Sequence, residues 1–398
     1  MKRRTLSYLT ALAALVVLPI TLAAQATTHR GATHYRVISL GAPLGGSFSG
    51  AAAINDLGFI AGDSNLTGDL AQHAELWVFG FPLDLGTLGG PNSAVLWPGL
   101  NAFGQTVGIS DTANTDPYGE SWSCGAFFPA SHQGHTCVGF LWQAGTMTAL
   151  PTLGGNNGFA TSINNHAQAV GWAENTVHDS TCVAPQVLQF EAVIWGPSPG
   201  QIQQLAPFPG DLDGAATGIN DHGQVVGISG ICQNAVGNLS AKHALLWQNG
   251  TPIDLGNLGG VAWHTPMALN NSGVVVGFSD LAGDNNGENP NFHAFVWTQP
   301  GPMHDLGTLT GDAISEALGI NAQNQIVGVS FAAGFSNPRA FIYQNGAMTD
   351  LNTLAPGSPL FLQVAQEIND EGVIVGQGCA PGSCATSSVA FVAIPTRN

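Results

Sequence analysis

The sequence predicts an all-β fold: a seven-bladed β-propeller of four-stranded antiparallel blades, its ring closed by an N-terminal strand that completes the last blade. Three observations predict it. An Asn preceded by Ile or Leu recurs at Asn55, Asn101, Asn164, Asn220, Asn270, Asn321 and Asn369. Seven residues after each stands a glycine, at Gly62, Gly108, Gly171, Gly227, Gly277, Gly328 and Gly376. The last unit holds three strands, and the segment Tyr35–Gly41 supplies a spare one. Four short strands every ~45–60 residues match a propeller blade, and propellers hold ~4–8 of these.

Each element follows from local chemistry. The residue three after each Asn is Gly58, Gly104, Ala167, Gly223, Gly273, Asn324 or Gly372. Asn first and Gly fourth is the preferred pattern of a type I turn. The fourth position takes a left-handed conformation in a hairpin bulge, where Gly and Asn cost least. Ala167 alone fits badly. Ile-Asn-x-x-Gly is therefore a tight hairpin between two short strands, such as Ala216–Asn220 and Gln224–Ser229.

A third strand follows at a variable distance: His73–Trp77, Val138–Trp142, Glu191–Trp195, His243–Trp247, His293–Trp297, Arg339–Tyr343 and, without the aromatic, Val389–Ala393. A short turn leads to a fourth strand ending in Asp-Leu-Gly or a variant, as at Asp84, Asp254, Asp305 and Asp350. Gly-rich links such as Leu88–Gly90 and Leu258–Gly260 carry the chain onward. Small residues in the first strand suit the crowded axis, and the Trp of the third strand suits the wider gap between blades. An open solenoid would leave both ends uncapped, whereas Tyr35–Gly41 with Leu44–Gly46 matches the fourth strand and link of the other units.

The run Asp-Leu-Gly-Thr-Leu-Gly-Gly, then Ile-Asn, Val-Val-Gly and His-Ala-Phe-x-Trp resembles the HAF repeat family of bacterial extracellular proteins. The resemblance covers residues 35–394. It implies export and a propeller-like architecture, and no defined catalytic role.

Composition agrees with export. Lys2, Arg3 and Arg4 precede an apolar stretch from Leu6 to Ala23, and Ala24-Gln25-Ala26 fits a small-x-small cleavage site. The expected organisation is a signal peptide over 1–26, a linker over 27–34, the propeller over 35–394 and a tail over 395–398. Cleavage leaves five basic residues against 25 acidic, a net charge of −20. Five cations cannot form a phosphate-tracking patch, so nucleic acid is excluded as a partner. No later stretch is apolar enough to span a membrane, and a secreted, periplasmic or cell-surface monomer is expected.

The loop between the second and third strands varies most in length, and variable loops on a constant scaffold commonly carry function. All six cysteines lie in or beside these loops. Repeat alignment favours Cys124 with Cys137, Cys182 with Cys232, and Cys379 with Cys384, although sequence alone leaves other connectivities open. His132 and His135 beside Cys124 and Cys137 offer a zinc set, which oxidation of the thiols would remove. Asp280, Asp284 and Glu288 lie in a loop rich in hard oxygen ligands and are calcium candidates, without the spacing of a calcium loop. Asp211 and Asp213 are a similar case. The recurrent His73, His243 and His293, one per blade, and the recurrent Asp84, Asp254, Asp305 and Asp350 are expected to be architectural.

No nucleophile elbow, zinc-protease motif or phosphate loop occurs, so no catalytic or cofactor-binding residue is assigned. The expected function is a non-catalytic binding or structural module whose variable-loop face meets carbohydrate or protein. Tyr118, Trp122 and Trp263 are candidates to stack on a ligand there. The alternative is a secreted carbohydrate-active hydrolase or lyase with paired carboxylates at the channel mouth.

Overall fold

The computed structural model describes residues 34–396, except 121, 129–131, 234–236, 285, 289–290 and 385. The leader and most of the linker expected from the sequence, residues 1–33, lie outside the described residues.

Seven four-stranded antiparallel sheets form the blades of a propeller. Six are continuous in sequence. Their inner strands are Gly45–Ile54, Gly89–Ala94, Gly158–Ile163, Asp213–Ile219, Thr265–Leu269 and Ile314–Ile320. The seventh blade begins at Phe361–Ile368, and its outermost strand is His34–Gly41, hydrogen-bonded to Val389–Thr396. Tyr35 and Val37 of that closing strand are buried. The N-terminal segment thus covers an edge that would otherwise offer unpaired backbone groups to another chain.

The recurrent Asn has two jobs. Its Oδ1 accepts two backbone N–H groups of its own turn, as Asn55 does from Leu57 and Phe59 at 3.1 and 3.0 Å. Its Nδ2 donates to the carbonyl of the corresponding Asn in the next blade. These bonds run from Asn55 to Asn101, Asn101 to Asn164, Asn164 to Asn220 and Asn220 to Asn270 at 3.0–3.2 Å. They continue from Asn270 to Asn321, Asn321 to Asn369 and Asn369 back to Asn55, again at 3.0–3.2 Å. The circle is complete. Only a short side chain with both an acceptor and a donor can pin its own turn and reach the neighbour, which accounts for Asn at every position. The fourth turn residue is left-handed throughout, including Ala167 at φ 58° and Asn324 at φ 59°.

The recurrent glycine seven residues on has a separate cause. Gly62, Gly171, Gly227, Gly277, Gly328 and Gly376 pair with the inner strand at a β-bulge. A Cβ on any of them would collide with an inner-strand carbonyl, such as that of Gly50, Phe159 or Ala215. Gly108 stands in the same relation to Ala94. The bulge and the glycine are one device: the extra inner-strand residue sharpens the twist, and the missing side chain lets the two backbones approach.

Neighbouring blades are tied further out as well. The amides of Ala74, Ala294 and Ala390 each donate, at 2.8 Å, to a serine of the next inner strand, Ser93, Ser315 and Ser49. Cys137 and Phe190 use Asn157 and Asp213 in the same way at 3.1 Å. Between blades, Trp77, Trp195 and Trp247 are fully buried. Trp195 and Trp247 donate their indole N–H to the links before their own blades, at Pro151 and Ala206. Burying each such ring is worth roughly 2–3 kcal/mol.

Candidate functional site

The propeller axis has two different ends. At the Asn-turn end lies a cavity of about 210 Å³, ringed by the seven Asn residues and the residues beside them. Its polar groups are already engaged. Asp221 accepts from the Asn165 amide and from the side chains of Asn165 and Asn271. Against the opposing effect of burial, these bonds hold its carboxyl below the usual range. This end is built for closure of the ring.

The loop end is different. A second cavity of about 210 Å³ is walled by Trp97, Trp172, Trp263, Phe278 and Met267, with Glu316 as the carboxylate among its lining residues. These residues come from blades two, three, five and six.

Trp97 sits here because blade two breaks the repeat. Ser49 precedes Asn55 by six residues and Ser315 precedes Asn321 by six, whereas Ser93 precedes Asn101 by eight. The inner strand ends at Ala94, and the two extra residues fall in the segment between it and Asn101. Gln366 of blade seven reaches the Leu96 carbonyl at 3.5 Å. The Trp97 ring meets Phe127, Phe159 and Trp172 edge-on, at centroid distances of 5.8, 5.3 and 6.4 Å. It also packs against Met267, Leu318 and Val329 of blades five and six. One side chain from blade two therefore meets residues of blades three, five and six and lines the cavity.

Trp263 is held from two sides. Its indole N–H donates to the Gly287 carbonyl at 2.8 Å. Its ring lies on Gly237, where a Cβ would collide with the ring itself. Such rings are set before any ligand arrives, which lowers the ordering cost of binding.

Glu316 lines the same cavity. Its carboxylate has no hydrogen-bond partner among the described residues, and burial alone pushes it up to about 7. It is one of a set. Burial raises Asp63 and Asp213 to about 8, Glu75, Glu174 and Glu191 to about 7, and Glu367, whose carboxylate accepts from the Ile54 amide, to about 8. Among the described residues no cation offsets any of them. The basic residues among those described are Arg36, Lys242 and Arg339, and Arg339 is paired with Asp312 and Asp350.

The residues singled out by sequence fall as follows. Three disulfides join Cys124 to Cys137, Cys182 to Cys232 and Cys379 to Cys384. Asp111, Cys124 and His132 are the one set of three potential metal ligands that converge among the described residues, and the Cys124 sulfur belongs to a disulfide. His132 instead bonds Asp111 at 2.9 Å. Asp280 and Asp284 are buried, whereas Glu288 is exposed and accepts from Asn286 at 2.6 Å. These three carboxylates do not converge on one point. His73 and His293 bond Asp84 and Asp305 of their own blades at 2.9 Å, and Arg339 takes the same place against Asp350. His243 turns to Asp211 at 2.7 Å. Asp254 accepts from the Gly256 amide. Tyr118 is exposed and meets His178 edge-on. The side chain of Trp122 lies outside the described residues. Trp263 is in the cavity wall. Trp97, Trp172 and Glu316 were not singled out by sequence. For Trp97 the signal was present, as the two-residue lengthening of blade two.

No family model and no curated protein matches the chain. Solved structures do. An acylaminoacyl peptidase in complex with Z-Gly-Gly-Phe-chloromethyl ketone is 12% identical, with a TM-score of 0.41, over 83% of this chain and 50% of that one. The Pyrococcus horikoshii acylaminoacyl peptidase is 12% identical, with a TM-score of 0.40, over 76% and 44%. YjhT is 12% identical, with a TM-score of 0.37, over 75% and 95%. The chain spans about half the length of the two peptidases.

Proposed function

We propose that this protein is an exported binding module of the HAF-repeat type that takes its ligand in the aromatic cavity at the loop end of the axis. One observation carries the reading: blade two departs from the repeat by two residues, and the departure places Trp97 beside Trp172 and Trp263. A preformed concave site lined by aromatic side chains with one polar group is the ordinary form of a small-molecule site. Among the described residues the cavity is lined by one carboxylate, Glu316, where hydrolysis between paired carboxylates needs two. Three disulfides support an oxidising compartment, and no helix among the described residues is long and apolar enough to cross a membrane.

The test is a small-molecule and glycan panel read by tryptophan fluorescence, run on the protein and on Gly237→Ala. The substitution displaces Trp263 from its seat and should weaken any ligand of the cavity at least tenfold. A ligand bound with equal strength by both proteins would place the site elsewhere. Turnover of a panel member would replace the binding reading with an enzymatic one.

A further inference from the structure

The loop-end cavity combines two features that point to one ligand chemistry. Trp97, Trp172 and Trp263 line it, and so does Glu316, which has no cation and no hydrogen-bond donor beside it among the described residues. Indole faces carry negative quadrupole potential and attract cations, Trp best of all. A carboxylate in a desolvated wall attracts the same charge far more strongly than one in water. The surrounding field agrees: the chain carries a formal charge of −17, and the described part holds three basic residues. Long-range attraction would concentrate cations at the cavity and repel anions.

From this juxtaposition of three tryptophans and an uncompensated Glu316, we infer that the cavity binds a small organic cation, an alkylammonium group seated among the rings with Glu316 as its counter-ion. Its size suits such a ligand, since about 210 Å³ admits a methylated ammonium with a short substituent and not an oligosaccharide chain. A neutral sugar would gain ring stacking but leave the carboxylate without an opposite charge. A bare metal ion would find one carboxylate oxygen donor where it needs several. The inference rests on the cavity being the ligand site and adds what the ligand is.

Choline and its neutral carbon isostere 3,3-dimethylbutan-1-ol separate the two questions. Both are titrated into the purified protein, with tryptophan fluorescence and calorimetry as readouts, alongside Glu316→Gln and Trp97→Phe. Choline should bind at least tenfold more tightly than the isostere. Glu316→Gln should remove most of that preference while leaving isostere binding unchanged. Trp97→Phe should weaken both, and an unchanged melting temperature would show that its fold is intact. If isostere and choline bind alike, or Glu316→Gln changes neither, the cation assignment falls and the cavity reading stands. If neither probe perturbs the tryptophans and a neutral panel ligand binds independently of Trp97, both fall.

Discussion

Asn369 donates its side-chain amide to the carbonyl of Asn55 at 3.2 Å, joining residues 314 positions apart. This bond is the seam between the last blade and the first, and it is identical in kind to the six that join consecutive blades. The ring is therefore closed twice: near the axis by these amides, and at the rim by the N-terminal strand.

Replacing one ring Asn tests the inner closure. Asn220→Asp keeps the acceptor for His222 and Gln224 but loses the donor to Asn270. A cost on the order of 1–2 kcal/mol is expected, and Asn220→Ala, which also strands two turn amides, should cost on the order of 2–4. Urea titrations of both variants give the comparison. An Asn220→Asp variant as stable as the parent would mean that the inter-blade bond contributes nothing, and equal losses in the two variants that the turn bonds do not.

The outer closure is tested by truncation. A chain beginning after Gly41 loses the burial of Tyr35 and Val37, worth on the order of 3–5 kcal/mol, and exposes the Val389–Thr396 edge. The truncated protein should melt lower and self-associate on size exclusion. A monomer of unchanged stability would contradict the seam.

The disulfides should differ in weight. Cys182 and Cys232 close a span of 50 residues between the loops of adjacent blades, whereas Cys379 and Cys384 close a span of five within one loop. Chain entropy assigns about 4 kcal/mol to the first and about 2 to the second. Melting of the two paired Cys→Ser variants should show that order, and a reversed order would mean that the loop of blades three and four is held by its other bonds alone. Those include the mutual backbone pairing of Thr181 and Val183 with Gln233.

Stability should fall as pH rises from 6 to 9. Asp63, Asp213 and Glu367 are raised to about 8, and Glu75, Glu174 and Glu191 to about 7, chiefly by burial. Unfolded carboxyls titrate near ~4. Between these values the folded state holds more protons than the unfolded one, so each group favours folding at lower pH and loses that advantage as pH rises through its folded value. His264 acts oppositely: burial lowers it to about 4, so acid below ~6.5 favours the unfolded chain. The six carboxyls outweigh the one histidine, so melting temperature should already be falling at pH 5–6 and continue to fall to about pH 8. A steady rise from pH 6 to 9 would overturn the assignment of these carboxyls as buried without cations.

The repeat was legible because its residues act locally or between equivalent positions. Asn55 and its six counterparts must each pin a turn and reach the next blade. Gly62 and its counterparts must each admit a bulged carbonyl. Any closed ring of identical units repeats these demands at fixed spacing, so a single sequence displays them seven times. The disulfide pairs were legible too, since two of them lie within a single loop and alignment of the units places the loops of Cys182 and Cys232 side by side.

The candidate site was not legible in that way. Trp97, Trp172, Trp263 and Glu316 occupy non-equivalent places in blades two, three, five and six, and span 219 positions of the chain. Nothing in local pattern relates them. The sequence determined how many blades there are, what turns and closes them, and which loops vary. Only the tertiary structure decided what meets at the axis, because a ring brings one inner strand of every blade to the same centre. There a two-residue lengthening of one strand can set a side chain against residues far away in sequence.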